Sequence, residues 1–259
     1  LVELAGSRDA APKFTARISE TPKPPKVRAN IADRNGILLA TSLPTAALYA
    51  NPNHILDARL AAKRLHKVLP ELDEGTLTKK LSGKSTFVWL HRNLTPDRQF
   101  KVNALGVPGL YFQGMERRVY PHGALAAHVL GVTDIDGNGL SGVEKQFDRQ
   151  LTGGDSAFGL SLDIRVQAMF RDALLRQQNK FSAIGAVGVL LDVSNGEVIA
   201  LVSLPDFDPN NPVSAAGDAG FNRATKGVYE MGSTFKLFTA AMALDSGATK
   251  ITSRFDATK

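Results

Sequence analysis

Two apolar runs joined by a tight turn constrain this chain more than anything else in it. Ile184 to Val193 is almost wholly apolar, Ser194-Asn195-Gly196-Glu197 supplies turn residues, and Val198-Ile199-Ala200-Leu201-Val202 resumes the run. An Asn-Gly pair between apolar segments predicts an antiparallel hairpin, and the continuous apolar character predicts that it is buried. Such a hairpin must be covered by helices, and the sequence offers two. Asp163 stands where it can cap a helix reaching about Lys180, with Val166, Phe170, Ala173 and Leu174 on one face. After an irregular loop from Leu204 to Pro212, a second helical run follows Ser233. Helix, hairpin, loop, helix is the order of an α+β layer in which helices pack on an antiparallel sheet.

The preceding part of the chain has different texture. Thr21-Pro22-Lys23-Pro24-Pro25-Lys26 predicts an extended connector. Ala29 to Ala40, broken by Asn35-Gly36, predicts a second hairpin, and Ala46 to Ala50 a further extended run. Ile55 to Leu69 has the spacing of an amphipathic helix, with Lys63, Arg64 and Lys67 on the wet side. Thr86 to Leu90 reads as a strand. Thr95-Pro96 reads as a helix start, the threonine capping and the proline at the first helical position. Gly109 to Tyr120 predicts a strand, Ala124 to Leu130 a helical turn, and Val143 to Leu151 a short helix. The glycine-rich break at Thr152-Gly153-Gly154-Asp155 divides the chain into domains 1–154 and 155–259.

Several familiar chemistries are excluded by residues that are missing or out of place. There is no cysteine, which removes thiol catalysis and cysteine-bound zinc. The formal charge of +6 is mild and scattered, compatible with an anionic lipid or polymer nearby but not a nucleic-acid footprint. Gly137-Asn138-Gly139-Leu140-Ser141-Gly142 matches a dinucleotide fingerprint, but no buried strand precedes it and no crossover helix follows. Asp134, Asp136 and Asn138 open like a calcium loop whose closing acid should stand where Lys145 is, so a turn explains them better. His122 and His128 have no carboxylate company at ligand spacing, which leaves them surface or structural roles. No run reaches the roughly 18 apolar residues of a membrane span, and the chain opens on Leu1 rather than methionine.

The chemistry that remains centres on Gly232-Ser233-Thr234-Phe235-Lys236. Apolar residues at 235, 238, 241, 242 and 244 recur at helical spacing, and Gly247 is placed as a left-handed cap. Ser233 is therefore expected in the first turn of a buried helix, with Lys236 one turn on along the same face. A serine hydroxyl needs a base to take its proton, and a lysine serves once burial or a neighbouring cation leaves it neutral. Any serine three residues before a lysine matches the pattern, so the surrounding chain must carry the argument.

It does so by resemblance. Tyr229-Glu230-Met231-Gly232-Ser233-Thr234-Phe235-Lys236 resembles the active-site segment of class B penicillin-binding proteins, the S-x-x-K serine transpeptidases. Arg28 to Ala40, Arg118-Val119-Tyr120-Pro121 and Gly139-Leu140-Ser141-Gly142-Val143-Glu144 resemble motifs of that family's non-catalytic pedestal domain. Leu162 to Gln167 and Asp192 to Pro212 resemble the opening of its transpeptidase domain. The pattern is most similar to the division-specific, septal type. Met231 stands where relatives carry proline, and the family's S-x-N and K-[ST]-G motifs do not occur between Lys236 and Lys259.

The resemblance implies a pedestal over 1–154 followed, over 155–259, by the first part of a serine transpeptidase domain. It implies that Ser233 is the nucleophile and Lys236 the general base, and it implies no metal or organic cofactor. Arg28, Asp33, Arg34 and Glu144 would hold the pedestal and its junction. The implied partners are peptidoglycan stem peptides, β-lactams and membrane proteins of the division complex, with no nucleic acid. The implied location is the bacterial inner membrane with the catalytic part in the periplasm. Two alternatives stay open: an inactive structural or division-protein interaction module, and a β-lactam-hydrolysing or sensing relative. The pedestal motifs speak against the last.

Overall fold

The structure is a computed structural model that describes residues 28–154, 156–256 and 258. The connector expected at 21–26 lies outside the described residues. The chain forms two compact units, one comprising the described residues up to His122 together with Leu130–Leu160, the other Gly123–Val129 with the described residues from Ser161 onward.

The first unit is built on one long strand. β1 (Ile31–Ala32) turns through Asp33 to Gly36 into β2 (Leu38–Ala50), as the Asn35-Gly36 pair predicts. Gly36 takes φ +80°, and Asp33 ties the turn by accepting the N–H groups of Asn35 and Ile37, each at 2.8 Å. The extended run at Ala46 to Ala50 is not a separate element, because β2 continues straight through Pro44. That proline stands where β2 is paired with one neighbour alone, so its missing N–H breaks no second ladder.

Asp57 caps α1 (Ala58–Val68), which begins three residues later than the periodicity predicts because Ile55 and Leu56 precede the cap. A helix the sequence reading missed, α2 (Glu74–Leu81), is capped by Asp73, whose carboxyl is held below its usual range by the backbone and side-chain hydrogen bonds of Thr76. β3 (Val88–Leu94) runs longer than predicted, up to Thr95, which caps α3 (Pro96–Asn103) as expected. β4 (Leu110–Val119) pairs antiparallel with β2 from Thr41↔Val119 to Ala50↔Leu110, while β3 pairs with β2 over Ala46 to Ala50. One face of this sheet and the three helices enclose the core: Leu48, Leu65, Leu69, Leu81 and Leu94 are fully buried.

After β4 come a 3₁₀ turn (Gly123–Ala126) and α4 (Ala127–Leu130), then α5 (Gly142–Gln146), α6 (Asp148–Leu151) and β5 (Phe158–Gly159), which pairs parallel with β1.

In the second unit, Asp163 caps α7 (Ile164–Lys180), and β6 (Ala186–Leu191) pairs antiparallel with β7 (Val198–Leu204) across the Asn195-Gly196 turn. Helix and hairpin are where the sequence places them; the burial of β6 is not. Ala200, Val202 and Leu204 of β7 are buried, but Val187, Val189, Leu190 and Leu191 of β6 are exposed. α7 comes down onto β6 at Gly188, where a Cβ would lie 2.5 Å from the Phe170 ring. A single helix cannot cover both faces of a two-stranded sheet, so Val187, Val189 and Leu191, on the face away from Gly188, stay in water.

Candidate functional site

The segment before Ser233 has no regular structure from Gly227 to Met231, and Gly232 then takes φ +53°. Nothing lies within 4 Å of where a Cβ would be, so glycine is required there by its backbone angle and not by crowding. A 3₁₀ turn (Gly232–Phe235) carries Ser233, and α9 (Lys236–Asp245) begins at the lysine; α8 (Arg223–Lys226) is the short helix upstream. Thr234 N–H donates to the Met231 carbonyl at 3.1 Å, and Lys236 N–H donates to the Ser233 carbonyl. The two side chains are thus one turn apart on one side of a helical start. α9 stops as predicted, Gly247 at φ +72° donating to the Leu244 carbonyl at 3.2 Å.

The expected burial of this helix is not found. Ser233 and Lys236 are exposed, and Phe235, Leu237, Phe238 and Met242 are each more than 60% exposed. Among the described residues α9 packs chiefly against its own leading turn, with the Phe235 and Phe238 rings 5.5 Å apart. Its apolar residues occur on more than one side, so periodicity alone could not say what covers it.

The scaffold leading to the site is held by polar residues, most of which the sequence alone does not single out. Gln167, almost fully buried on α7, donates to the Leu125 and Leu201 carbonyls at 2.9 and 2.7 Å and accepts from Leu201 N–H at 2.9 Å. One side chain thereby fastens α7 to β7 and to the 3₁₀ turn before α4. Arg171 grips Asp206 with two hydrogen bonds, of 2.6 and 3.1 Å. Ser203 accepts Arg223 N–H at 2.9 Å at the start of α8. His128, given a structural role from sequence, places Nε2 2.9 Å from the Ala219 carbonyl and sets its ring edge-on to Phe207. Burial holds its imidazole below the usual range. A glutamine in the apolar stripe of α7 was the readable signal for Gln167.

In the first unit, two of the four residues expected to hold the pedestal, Arg28 and Glu144, meet. Arg28 places Nε 2.6 Å from Glu144 Oε2 and Nη1 2.7 Å from Asp148 Oδ1. Arg118, which the sequence reading placed in a motif but gave no role, donates from Nε to Glu144 Oε1 at 2.8 Å and from Nη1 to the Ala29 carbonyl at 2.9 Å. Glu144 is fully buried between two guanidinium groups. Tyr120 points its hydroxyl at the same carboxylate, 3.4 Å away; burial first, and that negative charge second, push its phenol well above the usual range. Asp33 serves the β1–β2 turn instead, and Arg34 is exposed. The 134–139 stretch is a turn, with Asp134 accepting the N–H groups of Asp136 and Asn138 at 2.9 and 2.8 Å.

Comparison with known proteins adds the context that the geometry lacks. Residues 23–163 match the penicillin-binding protein dimerisation domain, and residues 186–259 match the penicillin-binding protein transpeptidase domain. The chain is 41% identical to the probable peptidoglycan D,D-transpeptidase FtsI of Caulobacter vibrioides over 89% of its own length and 40% of that protein's. It is 34% identical to the probable transpeptidase PenA of Neisseria meningitidis over 93% of itself and 46% of that chain. It is 32% identical to FtsI of Escherichia coli K12, over 86% of itself and 43% of the relative. Among solved structures, penicillin-binding protein PBP2 of Helicobacter pylori superposes with a TM-score of 0.66 at 19% identity, covering 88% of this chain and 54% of that one. A peptidoglycan synthetase from Bifidobacterium adolescentis gives a TM-score of 0.60 at 24% identity, over 90% and 52%. These last two share the fold, and the chain spans about half the length or less of the relatives it matches. With the dimerisation domain matched over more than half of its residues and the transpeptidase domain following in order, the chain belongs to the penicillin-binding protein family.

Proposed function

We propose that this chain carries the nucleophile segment of a septal peptidoglycan D,D-transpeptidase, with residues 1–154 as pedestal and 155–259 as the opening of the catalytic domain. One observation carries the reading: a left-handed glycine leads Ser233 into a helical start with Lys236 one turn away, inside the stretch that matches the transpeptidase domain. In this reading Ser233 Oγ attacks the carbonyl carbon of the terminal D-Ala-D-Ala amide while Lys236 Nζ takes its proton. The tetrahedral intermediate collapses, D-Ala leaves with a proton, and the acyl group stays on Ser233. An amine from a neighbouring stem peptide then displaces the serine and completes the cross-link. A β-lactam acylates Ser233 when its strained amide opens. In the cell this places the site on the periplasmic side of the inner membrane, beside division proteins, although no helix among the described residues is long and apolar enough to cross a membrane.

The test is acylation by a fluorescent penicillin, followed by intact-mass measurement and peptide mapping. One drug molecule per chain on Ser233, lost in Ser233→Ala and strongly slowed in Lys236→Ala, supports the reading. A second reading, an interaction module without turnover, is favoured by the exposure of Ser233 and Lys236. A missing oxyanion donor alone lowers rates by about 10²–10³-fold. Absence of any adduct after prolonged incubation would count against turnover by this chain and favour that second reading.

A further inference from the structure

The face of the first unit's sheet that the helices do not cover carries a row of aromatic rings. Leu48, Ala50, Leu90 and Leu94 point into the core, so the alternate positions on the same strands point away from it. Those positions hold Trp89 on β3, Tyr49 on β2 and Tyr111 on β4, with Phe87 just before β3. Tyr49 lies 5.4 Å from Tyr111, 4.8 Å from Phe87 and 5.9 Å from Trp89, measured between ring centroids. At one end, His54 Nδ1 is 2.8 Å from the Tyr111 hydroxyl; at the other, the Arg92 guanidinium lies 4.9 Å over the Trp89 ring. Phe87 is 41% and Tyr111 39% exposed, while Tyr49 and Trp89 are half-buried between them and their neighbours.

Cations gather at the Phe87–Trp89 end of the row, and two of them, Lys80 and Lys84, have no acidic neighbour among the described residues. The stretch from Lys79 to Arg92 contains Lys79, Lys80, Lys84, His91 and Arg92 and no acidic residue. Lys80 Nζ donates to the Trp89 carbonyl at 3.0 Å, which sets a cation on the strand that carries Trp89, and Lys84 is exposed. His91 and Arg92 are answered by Glu71 and Asp136, whereas no ion pair is found for Lys79, Lys80 or Lys84 among the described residues.

We propose that this surface binds the saccharide backbone of peptidoglycan carrying its anionic stem peptides, as a second substrate-holding site separate from Ser233. The proposal rests on the transpeptidase reading for the identity of the polymer and on the surface for the binding. Flat rings present an apolar surface to the C–H faces of sugar rings, while the Tyr111 hydroxyl, His54 and the indole N–H offer partners to hydroxyls. Lys80 and Lys84 match carboxylates on the stems. A lipid surface fits less well: the rings are spent on one another, Trp89 standing edge-on to both Tyr49 and Phe87, whereas interfacial insertion needs side chains reaching about 5–10 Å into the bilayer.

Co-sedimentation of the full chain with purified, insoluble peptidoglycan tests this. The wild type is expected in the pellet, and Tyr111→Ala and Phe87→Ala together are expected to weaken binding about tenfold or more, the level of one interface hot spot. Lys84→Glu, an exposed change that leaves the fold untouched, should weaken it several-fold, and more so at low salt. Peptidoglycan stripped of its stems should bind more weakly but still depend on Tyr111. Wild-type chain left in the supernatant, equal binding by wild type and Lys84→Glu, or binding only to anionic phospholipid vesicles would each overturn the proposal. Ser233→Ala separates the two readings, because it abolishes penicillin acylation and leaves sedimentation unchanged. Acylation without sedimentation removes this site alone, and sedimentation without acylation removes the transpeptidase reading alone.

Discussion

The two units treat the same kind of sequence in opposite ways. In the first, α1 and α2 turn Leu65 and Leu81 onto a sheet and exclude water almost completely. In the second, α9 is richer in apolar residues than either, yet Leu237 is 69% and Phe238 63% exposed. Capping, glycine stops and hairpin turns work equally well in both, because they are decided within a few residues. Burial is not decided there. It needs a second surface of matching width, which the first unit has in its β3–β2–β4 sheet and which α9 lacks among the described residues.

The largest effect that would sharpen this contrast is expected at Glu144. Glu144→Ala leaves Arg28 and Arg118 buried without their shared counter-charge and should cost about 3–5 kcal/mol. Trp89 is the only tryptophan and lies in the first unit, so urea unfolding followed by its fluorescence reports that unit separately. An unchanged midpoint would mean that the ion cluster is not what closes the unit.

Next comes a matched pair of leucines. Leu65→Ala should destabilise by about 2–5 kcal/mol, whereas Leu237→Ala should stay within about 0.5 kcal/mol. Equal losses would show that α9 is covered in solution. Consistent with its exposure, the chain should bind a hydrophobic dye and self-associate with concentration, and Phe238→Asp should reduce both. Analytical ultracentrifugation checks this, and a monomer without dye binding would break the comparison.

The smallest effect concerns His128. Its folded value is lowered, so its neutral form is the one the fold favours. The stability it contributes is fully present above the unfolded value of about 6.5 and is lost as pH falls from there through the folded value. The second unit's thermal midpoint should therefore drop between pH 7.5 and 5.5, and less so in His128→Gln, which can still donate to Ala219. A drop of the same size in that variant would assign the pH sensitivity elsewhere.

Much of the candidate site was legible because its signals are local. Gly232, Ser233, Lys236 and Gly247 sit in the backbone states their residue types prefer, and Asp163 caps α7 where its side chain alone would put it. The long-range pairings were not legible, although Arg28 and Glu144 were each singled out by resemblance. Gln167 bonds to Leu125, 42 positions away, and Arg28 to Glu144, 116 positions away; nothing in either neighbourhood names the other. α2 was missed because eight residues carrying Gly75 and two threonines make a weak periodic signal, and Asp73 with the core contacts of Leu77 and Leu81 supplies what propensity does not.

Most caps and turns, and the spacing that puts Ser233 and Lys236 one turn apart, are written in the chain itself. These depend on dihedral preferences and hydrogen bonds spanning at most a few residues. It took the folded chain to show that β2 runs through Pro44 as one strand, that Glu144 is shared by two arginines, that an aromatic row faces water, and that α9 is left uncovered among the described residues. Each of these depends on which surfaces meet across long stretches of chain, and a hydrophobic pattern says that a face needs a partner without saying which one it has.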